Sequence, residues 1–181
     1  MNNIESHISD ILRFIHENPD REGLRQTPRR YEKFLKDFTT PPPFHPTVFS
    51  SEGYDEMVVQ TGITFYSLCE HHLVPFFGTG TIAYIPDKHI IGLSKLARTL
   101  EHFSRSLQNQ ERITSQVADY LQETLKPKGV GVVVQARHLC MEMRGVRKLG
   151  AQTTTSALRG YFKSRPQTRS EFMVLAQGGN S

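Results

Sequence analysis

The sequence predicts an α+β domain carried behind an N-terminal helical arm. Three observations carry that expectation. Apolar residues recur at helical spacing between residues 4 and 38, β-branched stretches come in two pairs, and two amphipathic helical patterns separate the pairs.

In the arm, Ile4, Ile8, Ile11, Leu12 and Ile15 fall on one helical face until Asn18-Pro19 stops the pattern. Thr27 followed by Pro28 reads as an N-cap and first-turn proline, after which Tyr31, Phe34, Leu35 and Phe38 trace a second apolar face. Prolines at 41, 42, 43 and 46 make residues 39–50 an extended linker. The arm and linker therefore span 1–50 and the main domain 51–181.

Within that domain, VVQTGITFYSL near 57–68 predicts a strand and GTGTIAYIP over 78–86 its hairpin partner. Leu96, Leu100, Phe103 and Leu107 predict a helix capped by Ser94; Ile113, Val117, Leu121 and Leu125 predict another, ended by Lys126-Pro127-Lys128-Gly129. GVGVVVQARH over 129–138 reads as a buried strand, with TTTSALRGYF over 153–162 as its antiparallel neighbour. Thr168-x-x-Glu171 resembles a capping box for a short terminal helix.

Bulk properties narrow the function classes. A chain of 181 residues with 37% hydrophobic content suits one domain with a small appendage, and no apolar run approaches the ~18 residues of a membrane span. The start, MNNIESHISD, lacks a basic n-region and an apolar h-region, so the expected location is the cytoplasm. Only Cys69 and Cys140 occur, which suits a reduced compartment rather than a disulfide scaffold. A net charge of +4 and a pI near 9.2 favour an anionic partner. Lys and Arg are dispersed among 18 acidic residues, so the basic stripe of a nucleic-acid binder is missing and a phosphate pocket fits better.

Chemistry concentrates in two stretches. Ser67-Leu68-Cys69-Glu70-His71-His72 leaves a predicted strand, and Cys69 and His72 at i, i+3 can turn toward one metal ion. Arg137-His138-Leu139-Cys140 leaves another, where strand alternation places His138 and Cys140 on one face. Cys69, His72 and Cys140 make a Cys₂His set of the kind that leaves a fourth position for water at catalytic zinc sites. Taken singly, each cysteine reads as an inert buried thiol, and the two together as a disulfide. Both cysteines and three of eight histidines in two short stretches favour the metal.

CEHHLVPFFG at 69–78, IGLSKLAR at 91–98, LQNQERIT at 107–114, HLCMEMRGV at 138–146 and TSALRG at 155–160 resemble, in order and spacing, the signature blocks of the GTP cyclohydrolase I family. TPRR at 27–30 and TRSEFM at 168–173 extend the likeness over roughly 28–175. The resemblance implies a T-fold, an antiparallel sheet backed by two helices, repeated around a ring of subunits, typically a decamer of two pentamers with pockets between subunits. It implies that Cys69, His72 and Cys140 hold Zn²⁺, with His71 and His138 transferring protons near the purine N7 and the ribose ring oxygen.

By the same resemblance, Gln110-Glu111 recognises the base. A carboxylate can accept from both N1–H and the 2-amino group of guanine, whereas adenine offers neither donor. Ser94, Lys95 and Arg98 at a helix start, with Arg144 and Arg30, correspond to a triphosphate clamp, an arrangement that helix N–H groups and cations favour. Ser94 also stands where the family assists the sugar rearrangement. Asn109 departs from a common Val, and Leu139 from a usual Met; neither removes a ligand or a charge.

The expected reaction is GTP plus water to 7,8-dihydroneopterin triphosphate and formate, feeding folate or another pterin pathway. Three rivals differ in what they predict. A T-fold nitrile reductase would consume NADPH, a non-catalytic pterin- or nucleotide-binding relative would release no formate, and a nucleic-acid module would bind DNA or RNA with strong salt dependence.

Overall fold

Alternating apolar residues on long strands build one buried sheet face, and that face decides where the helices lie. The computed structural model describes residues 4–41 and 43–178. Its elements in chain order are α1 (Ile4–Phe14), α2 (Thr27–Thr39), β1 (Val48–Ser50), β2 (Val58–Cys69), β3 (Pro75–Ile85), β4 (His89–Ile91), α3 (Leu93–Ser104), β5 (Leu107–Gln108), α4 (Gln110–Leu125), β6 (Gly129–His138), α5 (Leu139–Glu142), β7 (Gln152–Gly160), α6 (Tyr161–Ser164) and α7 (Pro166–Gly178). The chain separates into two compact units, Met1–Pro41 and Pro42–Ser181.

In the first unit, α1 and α2 pack together. In the second, five strands run in the order β5-β2-β3-β6-β7. All neighbours are antiparallel except β5, which pairs in parallel with the end of β2 through Leu68–Leu107 and Cys69–Gln108. One sheet face, carrying Phe65, Phe76, Ile82, Val132 and Val134, packs against Leu96 and Leu100 of α3 and Ile113, Val117 and Leu121 of α4. This is the α+β T-fold arrangement, a sheet backed by two helices. A smaller cluster forms where Phe162 and Phe172 meet Ala83 and Ala176.

Two glycines shape the sheet. A β-bulge interrupts β2 between Gln60 and Ile63, where Gly62 takes the left-handed φ of +67° that a side chain would resist. On β3, a Cβ at Gly80 would meet Leu100 Cδ2 at 2.5 Å, so the missing side chain is what lets α3 lie on the sheet.

Several local expectations are corrected. Thr27 does not cap α2; it is the first helical residue, Gln26 is the N-cap, and no side-chain cap bond forms. Ser94 likewise lies inside α3, whose N-cap is Gly92. Leu107 leaves the helix and enters β5, because α3 ends at Ser104 with Arg105 N–H turned back onto Glu101 and His102 carbonyls. Thr168 sits within α7, which already starts at Pro166, so no capping box forms. The linker's last residues form β1, which pairs with β4.

Candidate metal centre

Cys69 is the last residue of β2, and a tight turn follows it. Cys69 N–H donates to Val74 O at 2.9 Å, and the N–H groups of His72 and Leu73 return to Cys69 O at 3.3 and 2.8 Å. Leu73 accepts a left-handed φ of +56° to close this loop. The turn brings His72 back over Cys69, with Cys69 Sγ 3.9 Å from His72 Nδ1.

Cys140 arrives from the neighbouring segment. Strand β6 ends at His138, and α5 begins at once, so Cys140 sits in a single helical turn rather than on the strand face the alternation implied. Cys69, His72 and Cys140 place their donor atoms within 4.8 Å of one another. Both thiols are free, which sets aside the disulfide reading. Two thiolates and an imidazole converging this closely fit a tetrahedral metal with one position left open. Burial pushes the Cys140 thiol up, and the neighbouring Cys69 adds to it. A bound cation would reverse that preference by displacing the protons. His71 Nδ1 also lies 3.6 Å from Cys69 Sγ, yet the three-way cluster closes on His72, and the His71 side chain is mostly exposed.

A second arrangement fixes His138. Its ring stacks on Phe76, centroids 4.7 Å apart and planes within 4°. Its Nε2 lies 2.8 Å from Gln110 Oε1. The Gln110 amide nitrogen faces Val134 O and Thr153 O at 2.9 Å and Thr155 Oγ1 at 3.1 Å, so its other side-chain atom is the acceptor. Thr155 and Thr114 hydroxyls lie 2.7 Å apart, and Thr114 Oγ1 donates to Gln110 O at 2.7 Å, completing one consistent direction of donors. His138 therefore donates from Nε2 and keeps Nδ1 as its acceptor when neutral. Burial lowers the His138 pKa, against a smaller opposing pull from Glu111.

Gln110 is 1% exposed and fully engaged, whereas Glu111 beside it is exposed in the first turn of α4. Arg144 follows α5 and acts electrostatically on Cys140. Ser94, Lys95 and Arg98 share the first turns of α3, Lys95 half-buried and the other two exposed. Arg30 is exposed on α2, in the other unit. Among the described residues, no ion pair involves Lys95, Arg98 or Arg144.

Sequence reasoning passed over Glu70, Arg112, Arg137 and Glu142 around the centre. Glu70 takes a bidentate ion pair from Arg112, and Asn109 binds the same carboxylate. Glu142, 3% exposed in its side chain, is gripped by Arg137 through Nε at 2.8 Å and Nη2 at 2.5 Å. The available signal was position alone, a carboxylate within two residues of each cysteine.

Fold and centre together define an α+β protein with a Cys₂His donor set, able to hold a metal ion, where two sheet strands end. The family model for GTP cyclohydrolase I matches residues 4–177, and the chain belongs to that family. It is 52% identical over 176 residues to GTP cyclohydrolase 1 of Aquifex aeolicus (strain VF5), covering 97% of this chain and 96% of that protein. Against the protein of the same name from Chlorobium chlorochromatii (strain CaD3), identity is 49% over 180 residues, covering 97% and 81%. Against that of Deinococcus radiodurans it is 50% over 185 residues, covering 98% and 84%. Among solved structures, an archaeosine synthase QueF-Like in the apo form aligns with a TM-score of 0.46 and 14% identity, over 57% of this chain and 93% of that one.

Proposed function

We propose that this chain is a zinc-dependent GTP cyclohydrolase I, converting GTP and water to formate and 7,8-dihydroneopterin triphosphate at the head of a folate or other pterin pathway. The convergence of Cys69, His72 and Cys140 within 4.8 Å, in a chain of this family, carries the reading.

Cys69, His72 and Cys140 would hold Zn²⁺, which would supply Lewis-acid activation of water near neutral pH. The rest of the chemistry falls to the protein. His138 takes up or delivers a proton at Nδ1, because Gln110 commits Nε2 to donation. His71, exposed beside the same turn, serves the second proton transfer, one histidine working near N7 and the other near the ribose ring oxygen. Glu111 accepts from guanine N1–H and the 2-amino group, while its neighbour Gln110 holds His138. Lys95, Arg98, Arg144 and Arg30 bind the triphosphate, and Ser94 assists the later rearrangement of the sugar.

Residues 51–181 form the catalytic domain, with 1–50 as arm and linker. The enzyme acts as a ring oligomer, a decamer of two pentamers, with pockets shared between subunits. Support for assembly comes from strand β7, which has a described partner on one side only and so offers a backbone edge for pairing. The proposed site of action is the cytoplasm; no described helix is long and apolar enough to cross a membrane. Formate release from GTP by the zinc-loaded protein tests the proposal; full metal occupancy without formate would contradict it.

A further inference from the structure

Glu70 stands between Cys69 and His71, in a turn whose neighbouring side chains serve the candidate metal centre. Its own carboxylate lies 3.9 Å from His71 Nε2 and is held by hydrogen bonds from residues farther along the chain. Arg112 Nη1 donates to Glu70 Oε2 at 2.7 Å and Nη2 to Oε1 at 3.1 Å, while Asn109 Nδ2 donates to Oε1 at 3.0 Å. The Glu70 N–H donates to Gln108 O at 3.0 Å, adding a backbone tie to the same place.

Asn109 and Arg112 sit at the head of α4, and Gln108 lies in β5 just before it. Asn109 is the N-cap, and its Oδ1 accepts from Arg112 N–H at 2.8 Å, so one amide side chain grips the helix with one end and Glu70 with the other. Arg112 also reaches Gln108 Oε1 at 3.3 Å. Between Asn109 and Arg112 lie Gln110, which holds His138, and Glu111. Arg112, and after it Asn109, hold the Glu70 carboxyl below its ordinary range.

The Glu70 and Arg112 side chains are 28% and 43% exposed, and a single ion pair that wet would stabilise little. Its value lies in geometry. Two parallel guanidinium bonds plus a capping amide leave the carboxylate few orientations, and the metal-holding turn inherits that restriction.

We propose that Glu70, Asn109 and Arg112 are positioning residues that clasp the Cys69–His72 turn to the first turn of α4, coupling metal affinity to guanine recognition. The inference rests on the reading of Cys69, His72 and Cys140 as metal ligands. The donor cluster itself is Cys69, His72 and Cys140, so Glu70, Asn109 and Arg112 act on it through the turn and the helix head. Breaking the clasp loosens the turn and displaces Glu111 relative to it, so one substitution affects two sites.

The test uses the full chain and four variants: Glu70→Gln, Arg112→Lys, their double variant and Asn109→Val. Zn²⁺ affinity is measured by chelator competition without GTP, Co²⁺ absorption reports ligand geometry, and KM and kcat for GTP are measured at saturating zinc. Expected are a roughly tenfold to hundredfold loss of Zn²⁺ affinity in Glu70→Gln and Arg112→Lys, an altered Co²⁺ spectrum, and a raised KM for GTP. The double variant should lose no more than the worse single one, because both remove one interaction. Asn109→Val leaves both ion-pair partners in place at the modest cost of the lost α4 cap, so it should show a smaller loss in the same direction even where Glu70→Gln folds poorly. Variants that fold, bind Zn²⁺ and give the Co²⁺ spectrum like the parent overturn the clasp alone. A parent that binds neither ion overturns the metal-ligand reading beneath it.

Discussion

The side-chain carbonyl of Gln110 lies 2.8 Å from Nε2 of His138, and the bonds on the other side of that amide decide which ring nitrogen carries the proton. A buried glutamine thus sets the working tautomer of a histidine two residues from a candidate metal ligand.

His138→Ala should therefore lower kcat by about 10²–10⁴-fold, the usual worth of a general acid or base. Gln110→Ala should lower it less, since the ring remains but loses its orientation. Zinc content should stay at the parent level in Gln110→Ala. Single-turnover formate release with parallel metal analysis checks both, and an unchanged rate in His138→Ala would remove it from the chemistry.

Glu111 is exposed at the head of α4 and is expected to read the guanine edge. Hydrogen bonds to a charged group contribute about 1.5–3 kcal/mol, so Glu111→Ala should raise KM for GTP by roughly tenfold to a hundredfold. Inosine triphosphate lacks the 2-amino group. The parent should discriminate against it, and Glu111→Ala should lose most of that discrimination; equal preference in parent and variant would contradict the assignment.

Tyr84 gives a pH prediction away from the metal. Burial raises its pKa above the ordinary 10.0, while the Ile91 N–H, which donates to its hydroxyl at 3.2 Å, partly opposes the rise. Below pH 10 the tyrosine is neutral in folded and unfolded chains, and stability is intact. As pH climbs past 10 the unfolded chain ionises first, so stability is lost toward the higher folded value. Tyr84→Phe should show a shallower fall in melting temperature above pH 10, after a pH-independent cost of about 1 kcal/mol for the orphaned Ile91 N–H. Parallel curves for parent and variant would refute this.

The fold was largely legible because its long elements are strongly periodic. Valines at 130, 132, 133 and 134 mark β6, and Ile113, Val117, Leu121 and Leu125 mark α4, since burial on one face demands those spacings. The short elements were not legible. Two-residue β5 and four-residue α5 leave no period to detect, yet they place Gln108 and Cys140. Cap assignments failed at Thr27 and Ser94 because a capping residue type is permissive, while the preceding backbone decides where the helix begins. The donor set was visible as spacing, whereas the Glu70–Arg112 pair joins residues 42 positions apart, which no local pattern reveals. Asn109, noted as a departure from a common Val, proves to be both the α4 cap and a Glu70 partner.

The most direct test of the central claim is formate release, with pterin fluorescence after oxidation, from GTP and the zinc-loaded parent beside Cys140→Ala. Thermal unfolding of both proteins shows whether the variant folds. The account predicts formate and pterin in equal amounts from the parent, and neither from a folded Cys140→Ala that no longer retains zinc. A fully metallated parent that releases no formate, or a folded, zinc-free variant that releases it at the parent rate, would contradict it.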